Sequence, residues 1–224
     1  MKKFLAFFLA SALLLLAVAC GMSPDDGKIP GEGDPTADNE NTQDQNTPGD
    51  MMPDQSGENN TSTTYQNAQE LLTGIWAQYS EAERFPIMGG DYDNIVDNAP
   101  GTFDLSHAEA AANLDSLYAF PPEEMSKIDS AAGMIHGMNA NIFTCGAFRI
   151  KQGNDLNACA EQIKNHILNK QFICGSPEKL AILSLPGHYL ISVFGTTDAV
   201  TSFVQKTKGW MDGVTVVTEQ QIAR

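Results

Sequence analysis

An acidic polar tract over residues 21–63 sets the limit on what this chain can fold into. It contains ten Asp or Glu residues against the single base Lys28, and its only large apolar side chains are Ile29 and three methionines. Such a segment buries too little apolar surface to offset the entropy of ordering, so we expect a disordered linker. As a flexible tether it spans on the order of 35 to 40 Å. The folded domain is therefore expected within residues 64–224.

The first twenty residues have the pattern of an exported bacterial lipoprotein. Two lysines precede an apolar run over residues 4–17, and small residues then lead directly into Cys20. The apolar run is short for a transmembrane helix, which needs about 20 residues. We expect a signal peptide over residues 1–19 and lipidation of Cys20, the first residue of a linker that extends to residue 63. The alternatives are ordinary secretion and an uncleaved anchor, because Ala17 stands where lipoprotein signals usually have Leu.

The anchor implies a location. Each buried methylene of an acyl chain contributes only about 0.8 kcal/mol, so stable retention on a membrane needs more than one chain, palmitate being the expected type. We therefore expect the protein at the extracytoplasmic face of the cell membrane, with residues 20–63 as a stalk.

Residues 64–224 are long enough for a single domain with its own core. They carry eighteen acidic residues and ten Lys or Arg, a net charge of −8, and the bases form no cluster. Nucleic acid and anionic lipid surfaces are therefore poor partners for this domain.

The first half of the domain predicts one clear helix and a long loop. Apolar residues recur at helical spacing over residues 68–79, with Thr64 as the expected N-cap. The segment 88–101, rich in Gly and Asp, predicts an irregular loop. The shorter elements expected after it are a helix start at residues 106–109, a strand at 114–120 and a helical turn at 122–128.

From residue 142 onwards the pattern predicts an α+β sandwich. The expected elements are a strand at 142–150, a helix that Asn154 or Asp155 caps and that extends through residue 170, strands at 181–185 and 189–194, a helix at 197–209 and a strand at 214–217. This order is that of a ferredoxin-like antiparallel sheet with two packed helices. A further strand at 132–137 is expected on the edge of the sheet.

Three cysteines remain once Cys20 is assigned to the lipid. A helix that follows a strand in the expected topology returns toward the start of that strand, which brings Cys174 close to Cys145. We therefore expect a structural disulfide between Cys145 and Cys174. Cys159 is expected to face inward as a small apolar core residue. A redox-active pair is the alternative, although no Cys-x-x-Cys is present to lower the pKa of a thiol.

Two groups of side chains offer the chemistry of a metal site. Met134, His136 and Met138 alternate along a possible strand and form a soft set that suits Cu(I), although residues of this kind beside glycines are more typical of ordinary packing. The second group consists of Asp91, Asp93 and Asp97. It resembles half a calcium loop, but the central Gly and the terminal Glu of an EF-hand are absent. We expect no metal and no other cofactor.

No catalytic constellation stands out. The sequence contains no Gly-x-Ser-x-Gly, no His-Glu-x-x-His and no phosphate-binding Gly loop. The histidines are His107, His136, His166 and His188. They are scattered, and each has an ordinary role at the surface or in the core. We therefore expect a domain that is not an enzyme.

Several short pieces between Ala68 and the C-terminus carry a resemblance. They are Ile75-Trp76-x-x-Tyr79, Met88-Gly89-Gly90-Asp91, Ala99-Pro100-Gly101-x-Phe103-Asp104-Leu105, His136-Gly137-Met138, Asn141-Ile142-Phe143-Thr144-Cys145-Gly146, Ile173-Cys174-Gly175 and Val193-Phe194-Gly195. As a set they resemble a group of small lipoproteins from Clostridia-type Firmicutes whose domain has no assigned function. The resemblance implies a Gram-positive setting with one membrane. Some members are labelled bacteriocin transport accessory protein, which implies an export-helper or thioredoxin-like role.

Two functions fit these sequence features. The first is a non-enzymatic binding or accessory domain that contacts a protein, a peptide or a wall component. The second is a thiol-redox or bacteriocin-export accessory protein that uses Cys145 and Cys174. A small-ligand site near residues 88–100 is expected to be concave and partly apolar.

The lipid anchor is tested by replacing its attachment point. We expect Cys20→Ser to abolish incorporation of labelled palmitate and to release the protein from the membrane fraction, because no thiol remains to carry the lipid. Cys159→Ser is the control and should leave labelling unchanged. Retention of the label in Cys20→Ser would contradict the assignment.

Overall fold

The computed structural model describes residues 65–173 and 175–222. The expected signal peptide, Cys20, the linker and Cys174 lie outside these residues. Within them the fold is α+β, with an eight-stranded antiparallel sheet and helices on both of its faces.

The elements are short at the N-terminal side and longer toward the C-terminus. The strands are β1 (Ile87–Gly90), β2 (Ile95–Asp97), β3 (Gly101–Phe103), β4 (Ile128–His136), β5 (Phe143–Ile150), β6 (Lys179–Leu185), β7 (Tyr189–Gly195) and β8 (Thr215–Gln221). The helices are α1 (Ala68–Trp76), α2 (Ala110–Tyr118), α3 (Leu156–Asn169) and α4 (Thr197–Trp210), with a 3₁₀ helix at Pro122–Lys127. Their order across the sheet is β2-β1-β4-β5-β7-β6-β8, and β3 also pairs with β4.

The position of β8 corrects the ferredoxin-like prediction. That topology places the last strand beside the first strand of the motif, β5, whereas here β8 pairs with β6 at the far edge. The crossovers β5–α3–β6 and β7–α4–β8 step in the same direction but start from antiparallel strands. Two crossovers of the same hand therefore place α3 and α4 on opposite faces of the sheet.

Each face of the sheet has its own core. Helices α1 and α4 cover one face, and α2 and α3 cover the other. Strand β5 serves both, because successive side chains of a strand point to opposite sides. Phe143, Cys145 and Ala147 lie in the first core, and Phe148 and Ile150 in the second.

Local sequence signals explain most helix boundaries. Helix α1 begins after Asn67, whose side chain accepts a hydrogen bond from the Glu70 amide. Thr64, the predicted cap, lies outside the described residues. Helix α3 begins after Asp155, which accepts from two amides of the first turn. Both caps satisfy donors that a helix start leaves unpaired.

Between residues 106 and 137 one predicted strand was wrong, and another was present but not at the edge of the sheet. Residues 114–120 were expected as a strand but belong mostly to α2, where Leu114 and Tyr118 lie one turn apart and are both buried. The helix ends at Ala119, which has left-handed backbone angles. The expected edge strand at 132–137 is the longer β4, which lies inside the sheet between β5 and the pair β1 and β3.

Strands β1 and β3 occupy consecutive positions along the same edge of β4. Ile87–Gly89 pair with residues 136–134 of β4, and Gly101–Phe103 continue with residues 133–131. The chain therefore leaves this edge after Gly89 and returns to it at the next position. We call residues 90–100, which include β2, the excursion loop. The segment expected to be irregular thus contains β2 and overlaps the end of β1 and the start of β3.

Glycines allow the two ends of the excursion loop to meet. A Cβ atom on Gly89 would overlap the Gly101 nitrogen, and a Cβ atom on Gly101 would overlap the Gly90 nitrogen. Gly90 also has a φ of +91°, in the region that favours glycine. These three residues let the backbone depart from the strand and rejoin it without a gap.

The fit of Tyr118 against the sheet predicts a large cost at one glycine. Gly133 and Gly146 are cross-strand partners, and a Cβ atom on Gly133 would overlap the Tyr118 ring. We expect Gly133→Ala to lower the free energy of unfolding by about 1–3 kcal/mol through overpacking. Urea denaturation measures this change.

A helical glycine with free space is the matched control. Nothing lies within 4 Å of the position that a Cβ atom would take on Gly209 in α4. We expect Gly209→Ala to raise the free energy of unfolding by about 0.5–1 kcal/mol, since Ala favours the helix. A similar effect of the two substitutions would contradict the packing of Tyr118 described above.

Candidate functional site

An apolar hollow lies beside the excursion loop. The structure exposes five large apolar side chains within residues 65–173 and 175–222, and three of them line this hollow: Met88 (41 %), Tyr92 (53 %) and Ile95 (60 %). Leu117 of α2 and Ile135 of β4 complete its wall. Exposed apolar side chains that cluster around a concave surface are typical of interaction sites.

The hollow has room for one side chain. Its volume is about 130 Å³. An apolar cavity of about 150 Å³ is known to accept a benzene molecule. The Tyr118 hydroxyl donates to the Gly90 carbonyl at 2.6 Å, so its ring forms part of the wall with its polar atom satisfied. The hollow therefore suits a single branched aliphatic or aromatic group.

The Asp91 carboxylate fixes the shape of the excursion loop. Oδ1 accepts hydrogen bonds from the Asp93 amide at 3.0 Å, the Asn94 amide at 2.8 Å and the Asn94 side chain at 3.1 Å. Oδ2 accepts from the Asp104 amide at 2.9 Å, on the chain that continues from β3. Burial alone would raise the pKa of Asp91, but these hydrogen bonds lower it below the ordinary value of 3.8.

A larger polar cleft lies along the other side of β2. Val96 lines this cleft of about 650 Å³, whereas its neighbour Ile95 lines the apolar hollow. The Gln69 side chain spans part of the cleft, donating to the Pro100 carbonyl at 3.2 Å and accepting from the Thr102 hydroxyl at 2.7 Å. Strand β2 therefore separates a polar cleft from an apolar hollow.

The chain around both concavities is acidic. Residues 85–126 contain eight carboxylates and no Lys or Arg. Bases from outside this segment approach two of them: Lys170 contacts Asp115 at 2.7 Å and Lys127 contacts Glu124 at 2.8 Å. Asp97 at the end of β2 has no ion pair with any described residue. A positively charged partner is favoured at this surface.

The two described cysteines are buried, and the pKa of each thiol is raised. Cys145 and Cys159 form no disulfide with each other or with another described residue. Burial raises the pKa of the Cys145 thiol well above its ordinary value. Burial, together with the neighbouring Glu124 carboxylate, raises the pKa of Cys159 to about 11. Reactive thiols are instead exposed and have a lowered pKa.

The disulfide between Cys145 and Cys174 stays a prediction, because Cys174 lies outside the described residues. The chain on either side of it returns to the start of β5, as expected. The Asn141 side chain donates to the Ile173 carbonyl at 3.1 Å and to the Gly175 carbonyl at 3.2 Å. Cys159 lies in the core beneath α3, in agreement with its expected role.

The structure separates the residues of the copper hypothesis. Met134 is fully buried in the core beneath α1, whereas Met138 lies beyond the end of β4 and is 87 % exposed. The Nδ1 atom of His136 accepts from the Met138 amide at 3.2 Å, and its ring stacks on Phe85. These three side chains do not share one site.

The three aspartates of the calcium hypothesis also have different surroundings and do not form one site. Asp91 is buried and engaged by protein amides, Asp93 faces His107 at 3.7 Å, and Asp97 lies at the end of β2. Within residues 65–173 and 175–222, no three His, Cys, Asp or Glu side chains are grouped so as to hold a metal ion.

A group of Ser, Asp and His side chains shortly before α2 does not have the geometry that activates a serine nucleophile. The Ser106 hydroxyl donates to Asp104 Oδ1 at 2.6 Å, and His107 Nε2 lies 3.1 Å from Asp104 Oδ2. The imidazole therefore contacts the carboxylate rather than the hydroxyl, and it does not act as the base of Ser106.

Comparison with known proteins places the chain in no group. No family model, no curated protein and no solved structure matches it. Among the described residues, no helix has the length and apolar character needed to cross a membrane.

Sequence patterns indicated the position of the site but not its residues. A ligand pocket near residues 88–100 was a possibility that the sequence left open, and residues of this segment line both concavities. Tyr92 and Ile95 were not singled out, because neither belongs to a periodic pattern. Their signal is the presence of large apolar side chains within a stretch of Gly, Asp and Asn.

The role of Asp91 gives a pH-dependent prediction. Since the pKa of Asp91 is lowered in the folded protein, its stabilising effect is present above about pH 4 and is lost as the pH falls through that lowered pKa. We expect Asp91→Asn to lower the free energy of unfolding by about 2–3 kcal/mol at pH 7, because an amide nitrogen cannot accept from Asp104. The difference from wild type should shrink in urea denaturation near pH 2–3.

Asp93→Asn is the control for this experiment. The Asp93 side chain is 69 % exposed and contacts only the exposed His107 among its ionic partners in the described chain. We expect a change within about 0.5 kcal/mol at either pH. Equal effects of Asp91→Asn and Asp93→Asn would contradict the role of Asp91.

Proposed function

We propose that this protein is a lipid-anchored lipoprotein of the extracytoplasmic membrane face, and that its domain binds a partner protein without catalysing a reaction. The observation that carries this proposal is the clustering of Met88, Tyr92 and Ile95 around one hollow. Free surfaces rarely gather exposed apolar groups in this way unless another molecule covers them. The partner places an apolar side chain in the hollow.

The negative charge around the hollow indicates which kind of partner can bind. Most residues that line the hollow and the cleft belong to the segment 85–126, which has eight carboxylates and no Lys or Arg. Acidic surfaces accelerate the approach of basic partners and disfavour acidic ones. The acidic linker of the same chain is therefore a poor occupant, and a basic segment of another protein is a suitable one.

The thiol-redox alternative has less support. It requires Cys145 to exchange electrons with Cys174, and the Cys145 side chain is fully buried with a raised pKa. A redox-active thiol needs access to its substrate and a stabilised thiolate. Export assistance through binding alone remains compatible with the proposal.

Site-specific photo-crosslinking on intact cells tests the proposal. A diazirine amino acid at position 95 is expected to give one discrete adduct with a partner protein, since residue 95 borders the hollow. The matched control is the same amino acid at position 138, which is also exposed but lies outside the hollow.

The adduct at position 95 should disappear in the Met88→Asp background, because the charge makes the hollow unsuitable for an apolar group. Met138→Asp provides the corresponding control for an added charge elsewhere. Identical adduct patterns at positions 95 and 138, or none at 95, would contradict the proposal.

A further inference from the structure

The excursion loop presents a free strand edge beside the hollow. Strand β2 pairs with β1 on one side, and no other strand of the described residues pairs with it. Edge strands of this kind have unpaired N–H and C=O groups that another chain can use. The two pockets that flank β2 add side-chain contacts to this edge.

The register shows which backbone groups face outward. The Asn98 amide donates to the Ile87 carbonyl at 2.7 Å, which makes Ile87 and Asn98 a hydrogen-bonded pair. Such pairs alternate along an antiparallel ladder. Val96 therefore bonds to Gly89, and the N–H and C=O groups of Ile95 and Asp97 point away from β1.

Side chains on the two sides of β2 meet different surroundings. Ile95 lines the apolar hollow and Val96 lines the polar cleft that includes Asp104. A strand paired with β2 would direct its own alternate side chains to the same two sides. Main-chain bonds along the edge and pockets for alternate side chains together define recognition by strand addition.

We propose that the partner binds as an extended, basic segment that pairs with β2 and directs one apolar side chain toward the hollow. This inference rests on the proposed function and specifies its ligand. The basic character follows from the carboxylates at this edge: Asp97 on β2 has no ion pair among the described residues, and Asp104 lines the adjoining cleft. The extended conformation follows from the outward groups of Ile95 and Asp97.

Amide hydrogen exchange with a defined peptide tests the pairing. The full chain, purified in detergent, is titrated with the peptide Lys-Leu-Lys-Leu-Lys, and exchange is followed residue by residue by NMR. We expect the amides of Ile95 and Asp97 to slow at least tenfold on binding. The Val96 amide, already bonded within the hairpin, should change little and serves as the internal control.

Two further comparisons separate pairing from simple charge attraction. Asp97→Pro removes one outward N–H, whereas Asp97→Ala removes the same carboxylate and keeps the N–H. We expect peptide binding to be about fivefold weaker in the first variant than in the second, the effect of one hydrogen bond. Circular dichroism should show both variants folded, since proline is tolerated on edge strands.

Two control peptides are used: Glu-Leu-Glu-Leu-Glu reverses the charge, and Lys-Lys-Lys-Leu-Leu keeps the charge but not the alternation. We expect the acidic peptide not to bind and the non-alternating basic peptide to bind without slowing exchange at Ile95. Binding of Lys-Leu-Lys-Leu-Lys without protection of Ile95 and Asp97, or no binding at all, overturns strand addition. With either result the proposed function stands if crosslinking at position 95 succeeds. If crosslinking at position 95 fails, both the proposed function and strand addition are overturned.

Discussion

The hydrogen bonds of one carboxylate, Asp91, fix the conformation of the excursion loop, the segment that interrupts the sheet edge between β1 and β3. Its two oxygens accept from the amides of Asp93, Asn94 and Asp104, which belong to the departing and the returning chain. Glycines at 89, 90 and 101 allow these chains to pass in contact. Because the carboxylate is buried and fully engaged, the excursion loop has a defined shape rather than a range of shapes. The hollow depends on that shape, since Tyr92 and Ile95 project from it.

The rest of the fold supplies a rigid base for this loop. Strand β4 provides one continuous edge for β1 and β3, and the Tyr118 ring packs onto Gly133 of β4. The same tyrosine donates to the Gly90 carbonyl, so it links the core beneath α2 to the start of the excursion loop. Binding surfaces built on such a base lose little conformational entropy when a partner docks.

Apolar patterns predicted the second half of the domain well, because α3 and α4 each have one apolar face, and β5 to β7 are short, mostly apolar runs that are buried on both faces. The position of β8 was not predictable in this way, since strand order depends on which face α4 covers. Residues 114–120 were ambiguous because alternating and helical spacings fit the same few apolar residues. The site was the least predictable part. Asp91 and the glycines act through backbone contacts between segments that are distant along the chain, and no local pattern records those contacts.

The excursion loop presents a preformed hollow for one apolar side chain. Methyl NMR of the free protein titrated with toluene, a mimic of the phenylalanine side chain, tests this most directly. We expect shift changes at the methyl groups of Met88, Ile95, Leu117 and Ile135, with Met138 unaffected as an exposed reference. Equal changes at Met88 and Met138, or no change at the four lining residues, would contradict it.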